Sequence, residues 1–234
     1  MRFSVLIIAV SMLSMPVIAK PADVTESRKL LAEFATCAVK KRPETAKLIV
    51  LENLTSAQIR KDHEKIFDNS CITAPVGRRV EMLSDEGSFK AAFAQALIVM
   101  EFKDTAPSNF STVAPLGHNK PYPLKTVDDR TGKPLPEEAI KKQQEAIDRK
   151  TTELAISQLG ECIVRLNSFG ARNVLSTPMG TDEELNAVKA VATDMSSCIV
   201  RGQTVGFNRV TIRNTIAVNY YRLASAAASQ GSAK

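Results

Sequence analysis

The sequence predicts a mainly α-helical protein made of two related, disulfide-stapled helical repeats joined by a Pro-rich strap. Three observations carry that expectation. Apolar residues recur at helical spacing through both halves, the halves can be laid over one another in order, and the four cysteines fall at matching places. The 234-residue chain is 44% hydrophobic and 24% charged, the balance of a folded globular protein and not of a disordered or collagen-like one.

Residues 1–19 read as a signal peptide. Arg2 supplies a short positive region, Val5 to Leu13 an apolar run, and Val17 and Ala19 the small residues before a cleavage point at Lys20. The apolar run is far shorter than the roughly 20 residues a spanning helix needs. Later in the chain the best membrane candidate, Ala91 to Phe102, is interrupted by Gln95 and Glu101, so no transmembrane segment is expected in the mature chain. The short positive region has a bacterial look, which places the product in the periplasm or outside the cell.

Repeat 1 is expected over 20–102. Asp23-x-x-Glu26 resembles a capping box and opens a helix reaching about Lys40, with Leu30, Leu31, Phe34, Cys37 and Ala38 on one stripe. Pro43 suits the first turn of a short helix to about Glu52. Thr55 caps a third helix to about Asn69, Cys71 follows it, Ile72 to Met82 is an extended or turn segment, and a fourth helix runs from Asp85 or Ser88 to Phe102.

The connector, 103–136, carries six of the eleven prolines together with Gly117 and Gly132, so it cannot hold a regular helix. Phe110, Val113, Leu116, Tyr122 and Leu124 offer apolar anchors by which it lies over the helices. Repeat 2, 137–226, opens with a long helix to about Leu166 along Ile140, Ile147 and Leu154. Ser168 caps a short helix to Ser176, and Thr181 caps one to Ser197. Thr204 to Phe207 is extended, and Asn208 caps a last helix to about Ala224. The Ala/Ser-rich end, 227–234, is read as a flexible tail.

Superposing Cys37 on Cys162 pairs Leu31 with Ile156, Phe34 with Leu159, Lys40 with Arg165 and Lys47 with Arg172. With small gaps, Thr55-x-x-Gln58 then faces Thr181-x-x-Glu184, Cys71 faces Cys198, and Lys90 faces Arg213. Four thiols in an exported chain allow three pairings. The repeat favours Cys37–Cys71 and Cys162–Cys198, because either crossed pairing breaks the equivalence of the copies. No C-x-x-C redox motif occurs, nor the closely spaced ligand pairs of structural zinc, so no metal or other cofactor is expected.

Catalytic signals are sparse. There is no G-x-S-x-G, H-E-x-x-H, P-loop or G-x-G-x-x-G. His63 reads as a solvated helix residue and His118 as a loop residue of the connector. Glu137-Glu138 and Glu183-Glu184 fall in first helical turns, where they complement the macrodipole. Basic residues remain. Lys40, Lys47, Lys90, Arg165, Arg172 and Arg213 recur at equivalent positions, with Arg78, Arg79, Arg201 and Arg209 near the extended segments. Facing one another across the two copies, they define a candidate anion-binding groove for phosphate or carboxylate groups of envelope polymers. Nucleic acid is not an expected partner: the net charge of +6 is dispersed and aromatics make up only 5%.

The pattern C-x-V-[KR], a downstream A-[KR], a second Cys after a capped helix, and a [KR]-x-x-[FI]-A helix resembles an uncharacterised family of exported Gram-negative bacterial proteins. The resemblance covers most of both halves but not the connector. It implies export and an all-helical fold, and it transfers no catalytic residue. The expected function is a non-catalytic binding or interaction module of the cell envelope, its partner an envelope protein or an anionic envelope polymer. The alternative is an envelope hydrolase with a site under the connector, which a buried cluster of ionisable groups beneath 103–136 would favour. A purely structural partner would be signalled by an exposed apolar patch at Ile212, Ile216 and Tyr220.

Overall fold

The computed structural model describes residues 24–72, 86–103, 105, 107–199 and 208–231. The expected signal peptide, Asp23, nearly all of the extended stretch 72–82, the stretch 204–207, and Arg78, Arg79 and Arg201 lie outside the described residues. Among those described, the protein is mainly helical, with no strand beyond an isolated antiparallel bridge between Val127 and Pro134.

α1 (Val24–Lys41) buries Leu31, Phe34, Ala35, Ala38 and Val39 on one stripe. Pro43 opens α2 (Pro43–Leu51), whose end is a Schellman turn: Asn53 N–H donates to the Val50 carbonyl and Leu54 N–H to that of Ile49. Asn53 sits there at φ 50°, the left-handed region that Asn tolerates better than most side chains. Thr55 and Gln58 form a capping box on α3 (Ser56–Asp62).

The third helix was expected to reach Asn69, but α3 stops at Asp62. Two 3-10 turns, Glu64–Ile66 and Asn69–Cys71, replace its second half. Asp68 caps the second turn through Ser70 N–H, competing locally with helical pairing. The tighter path buries Ile66 and brings Cys71 back to α1, where it bonds Cys37.

α4 (Glu86–Glu101) is apolar almost all round, with Ala91, Ala92, Phe93, Ala94, Leu97 and Ile98 buried, because it packs against α1, α2 and α8. Phe34 meets Phe67, Phe89 and Phe93 in an aromatic cluster beneath it.

α5 (Glu137–Leu166) is the longest helix, and its buried positions begin only at Leu159. At Gly160 it meets α8 closely. A Cβ there would lie 2.6 Å from Asn219 Nδ2 and 2.9 Å from Thr215 Cβ. Asn167, not Ser168, caps α6 (Ser168–Ser176): its side chain accepts from Gly170 N–H while its amide donates to Asp194. An amide can serve both neighbours at once. Thr181 caps α7 (Asp182–Met195), which ends two residues before the expected Ser197.

Asn208 accepts from Thr211 N–H at the start of α8 (Arg209–Gly231). This helix runs through the Ala/Ser-rich stretch past the expected end near Ala224, as alanine's helix preference allows. Cys162–Cys198 closes the second half. One continuous core joins the halves, with α4 lying along α8 and Phe102 against Tyr221. Burial pushes the Tyr221 phenol up, and its hydrogen bond to Glu101 adds to this, so it stays protonated and donates to that carboxylate.

Ile212, Ile216 and Tyr220 are buried, not an exposed patch, because α8 is wrapped by α2, α4, α5, α6 and α7. In the connector, Phe110 and Val113 are buried, with Phe110 edge-on to Tyr220. Leu116 packs on the core, whereas Tyr122 and Leu124 are exposed and anchor nothing.

Candidate functional site

The six cations are not gathered into one groove. Lys40 is exposed beside a shallow depression on α1, and Lys47 pairs with Glu44 and Glu101, which hold its ammonium above the usual lysine value. Arg172 donates to the Lys103 carbonyl. Arg165 reaches the connector, with Nη1 donating to the carbonyls of Phe110 (2.7 Å) and Val113 (3.0 Å) and Nη2 to that of Ala114 (2.8 Å). These are internal ties.

Arg213 is buried. Nη1 donates to Val174 O (2.7 Å), Thr177 O (3.0 Å) and Glu184 Oε1 (3.3 Å), Nη2 to Leu175 O (2.9 Å), and Nε to Gln95 Oε1 (2.9 Å). Its guanidinium therefore closes the orphan carbonyls at the end of α6. Glu184 is fully buried instead of facing solvent as a first-turn acid. It accepts from both Nη atoms of Arg28, from Arg213 and from Gly180 N–H, with Arg209 4.0 Å away. Burial works to raise this carboxyl, but the Arg28 and Gly180 donors and the charges of Arg28 and Arg213 outweigh it and hold it below the usual range. This cluster ties α1 of the first half to α7 and α8 of the second.

Lys90 alone of the six enters the cavity between the halves, a space of about 370 Å³. Its buried ammonium is positioned by the Schellman turn of α2, donating to Asn53 Oδ1 at 2.8 Å. The Asn53 carbonyl accepts in turn from the connector's Asn119 at 2.8 Å. α5 adds Lys150, Glu153, Leu154, Ile156 and Ser157, and α8 adds Thr211, Asn214 and Thr215. Lys150 is paired with Glu153 at 2.6 Å. Among the described residues the lining is thus amides and hydroxyls, two lysines that both have partners, Glu153 and two aliphatic side chains.

Beneath the connector, at the edge of the same cavity, lies a cluster of linked polar groups. His118, read as a bland loop residue, has only 9% of its side chain exposed, as does Glu161. His118 Nε2 donates to Glu161 Oε2 at 2.7 Å, and its Nδ1 accepts from Ser157 Oγ at 2.8 Å. Glu161 Oε1 takes the Leu116 N–H (3.0 Å) and Arg165 Nε (2.8 Å), so it is an acceptor on all sides and fixes the Nε2–H tautomer of the imidazole. Burial works to raise the Glu161 carboxyl, but donors from Leu116, His118 and Arg165 prevail and hold it below the usual range. Arg222 donates to Gly117 O at 2.8 Å on the other side.

Glu161 and Ser157 were not singled out in the sequence, although the spacing Ser157-x-x-x-Glu161-x-x-x-Arg165 places all three on one helix face beside the apolar stripe. His63 is half-buried and closes α3. Among the described residues no group of three or more His, Cys, Asp and Glu side chains could hold a metal ion, and no helix is long and apolar enough to cross a membrane. No known protein family, curated protein or solved structure matches the chain.

Proposed function

We propose that the protein is an exported component of the cell envelope, a doubled, disulfide-braced helical scaffold that binds a small sugar carboxylate in the cavity between its halves. The carrying observation is the Lys90 ammonium, held by Asn53 at the cavity wall, beside the amides of Asn53, Asn119 and Asn214 and the hydroxyls of Ser157, Thr211 and Thr215. Such a lining offers a counter-charge for one anionic group and hydrogen bonds for a polyhydroxylated body.

Duplication is supported by the order of elements. α2 and α6 are each nine residues long, each follows the first helix of its half, and each half carries one disulfide. Lys90 and Arg213 both reach to the end of the short helix in their own half, Lys90 to Asn53 after α2 and Arg213 to the last carbonyls of α6. The duplicated cation has diverged in use, one closing a helix and one facing the cavity. Residues 103–136 serve as the strap, held by Phe110, by the Arg165 bonds and by the Arg222–Gly117 contact. The signal-like N-terminus and the two disulfides support export.

Titration of the oxidised, isotope-labelled chain with N-acetylmuramic acid, followed by NMR, tests the binding. Shifts are expected at Lys90, Asn119 and Asn214, lost in Lys90→Met and kept in Lys90→Arg. Absence of cavity shifts in the wild type at millimolar ligand overturns the reading.

A further inference from the structure

We infer that Ser157 is a nucleophile in this cavity, activated by His118, and that the protein hydrolyses short-chain O-acyl esters of polyhydroxylated ligands. The inference rests on the cavity being a ligand site and adds chemistry to it. Three side chains from two distant segments are linked in series, Ser157 to His118 at 2.8 Å and His118 to Glu161 at 2.7 Å. A nucleophile within hydrogen-bond reach of a base that a third group orients is the general arrangement of covalent acyl transfer.

The bonding choices of Ser157 separate this from mere anchoring. Thr151 and Thr152 on the same helix turn their hydroxyls back to carbonyls one turn earlier, the ordinary resting place for a helical hydroxyl. Ser157 instead donates to an imidazole, and it lines the cavity. The connector is already held by Arg165 on three carbonyls, by Leu116 on Glu161 and by Arg222 on Gly117. His118 is not needed for that task. Glu161 touches no cavity atom in this scheme and is a positioning residue, setting the imidazole so that its free lone pair faces Ser157.

The lining selects the substrate class. Leu154 and Ile156, which precede Ser157 on the same helix, line the cavity with it and offer an apolar wall for a short acyl chain, while Asn53, Asn119, Asn214 and Thr211 face a polar alcohol portion. A cavity of about 370 Å³ is near the small end of ligand sites. In the first step Ser157 Oγ bonds the ester carbonyl carbon, its proton passes to His118 Nδ1, and the carbonyl π pair moves to oxygen. Collapse of that adduct breaks the acyl carbon–alkoxy oxygen bond, and the alkoxide leaves with the proton from His118. Water repeats the sequence on the acyl-serine, giving the carboxylic acid and free Ser157.

The test uses the oxidised chain with a fluorophosphonate probe and with 4-nitrophenyl acetate. One covalent adduct on the Ser157 peptide is expected. Ester turnover should fall to background in Ser157→Ala and by about 100-fold or more in His118→Gln. Glu161→Gln is expected to lower kcat per active site titrated with the fluorophosphonate, a loss that unfolding of part of the sample does not produce. No Ser157 adduct in the wild type, or equal turnover by Ser157→Ala, overturns the inference. Ser157→Ala keeps the Lys90-dependent shifts with N-acetylmuramic acid if only the chemistry is wrong; if the cavity reading fails, the wild type lacks those shifts.

Discussion

Replacing Glu184 by Gln removes one charge at the junction of the two halves while keeping side-chain volume and an acceptor for Gly180 N–H. Side-chain exposure is 0% at Glu184, 10% at Arg28 and 4% at Arg213, so both guanidinia lose their counter-charge out of reach of solvent. Breaking a buried pair in this way costs about 3–5 kcal/mol. Arg213 keeps Gln95 and the carbonyls of Val174, Leu175 and Thr177 as partners, which places the loss near the lower end of that range. For a chain of this size each kcal/mol is worth roughly 2–4 °C, so the thermal midpoint should fall by about 6–12 °C. Differential scanning calorimetry of the oxidised chain measures it, with the exposed Glu145→Gln as control, expected within about 0.5 kcal/mol of wild type. A Glu184→Gln midpoint within about 2 °C of the control refutes the assignment of Glu184 as the charge that joins the halves.

Acid should destabilise the protein through the same kind of group. Glu161 faces His118, Arg165 and Arg222, Glu184 faces Arg28, Arg209 and Arg213, and both carboxyls lie below their usual 4.5 in the folded state. The unfolded chain therefore binds protons first as pH falls. The stability they supply is full above 4.5 and is lost as pH drops through their folded values, which urea midpoints at descending pH will show as a steep decline. Removing Cys162 and Cys198 together, both to Ser, opens a loop with a sequence separation of 36 and should cost roughly 4 kcal/mol by chemical denaturation. Gly160→Ala should destabilise by about 1–3 kcal/mol, because the new methyl enters Thr215 and Asn219; an ordinary helical Gly→Ala change has the opposite sign, so a gain in midpoint contradicts the close α5–α8 approach.

Much of the helical frame was legible because its signals are local. Pro43, Thr55, Thr181 and Asn208 mark helix starts through groups a few residues away, and the matching Cys positions in the two halves pointed to the bonds that form. What resisted reading depends on distant partners. Ile212, Ile216 and Tyr220 have the spacing of a helix stripe, but spacing does not tell whether other helices cover it; here α8 is packed against by α2, α4, α5, α6 and α7. Arg165 and Arg213 look like surface cations until the carbonyls they meet, some 35 to 55 positions away, are in place. His118 is separated from Ser157 by 39 positions and from Glu161 by 43, so no motif search links them. The 3-10 turns after Asp62 follow from the demand that Cys71 return to α1, a global constraint that overrides the helical preference of the segment.

The two covalent rings enclose α2 with α3 and α6 with α7, while α4, α8, the segment between α4 and α5, and the cavity-lining stretch of α5 lie outside them. Of the described residues around the cavity, Asn53 alone belongs to a ring. Warming an oxidised sample will thus open the pocket while two cyclised kernels are still tethered, and the unfolded oxidised chain will stay smaller than the reduced one. Oxidising conditions guard the kernels, whereas the pocket is held by noncovalent contacts such as Lys90–Asn53, Asn119–Asn53 and Lys150–Glu153.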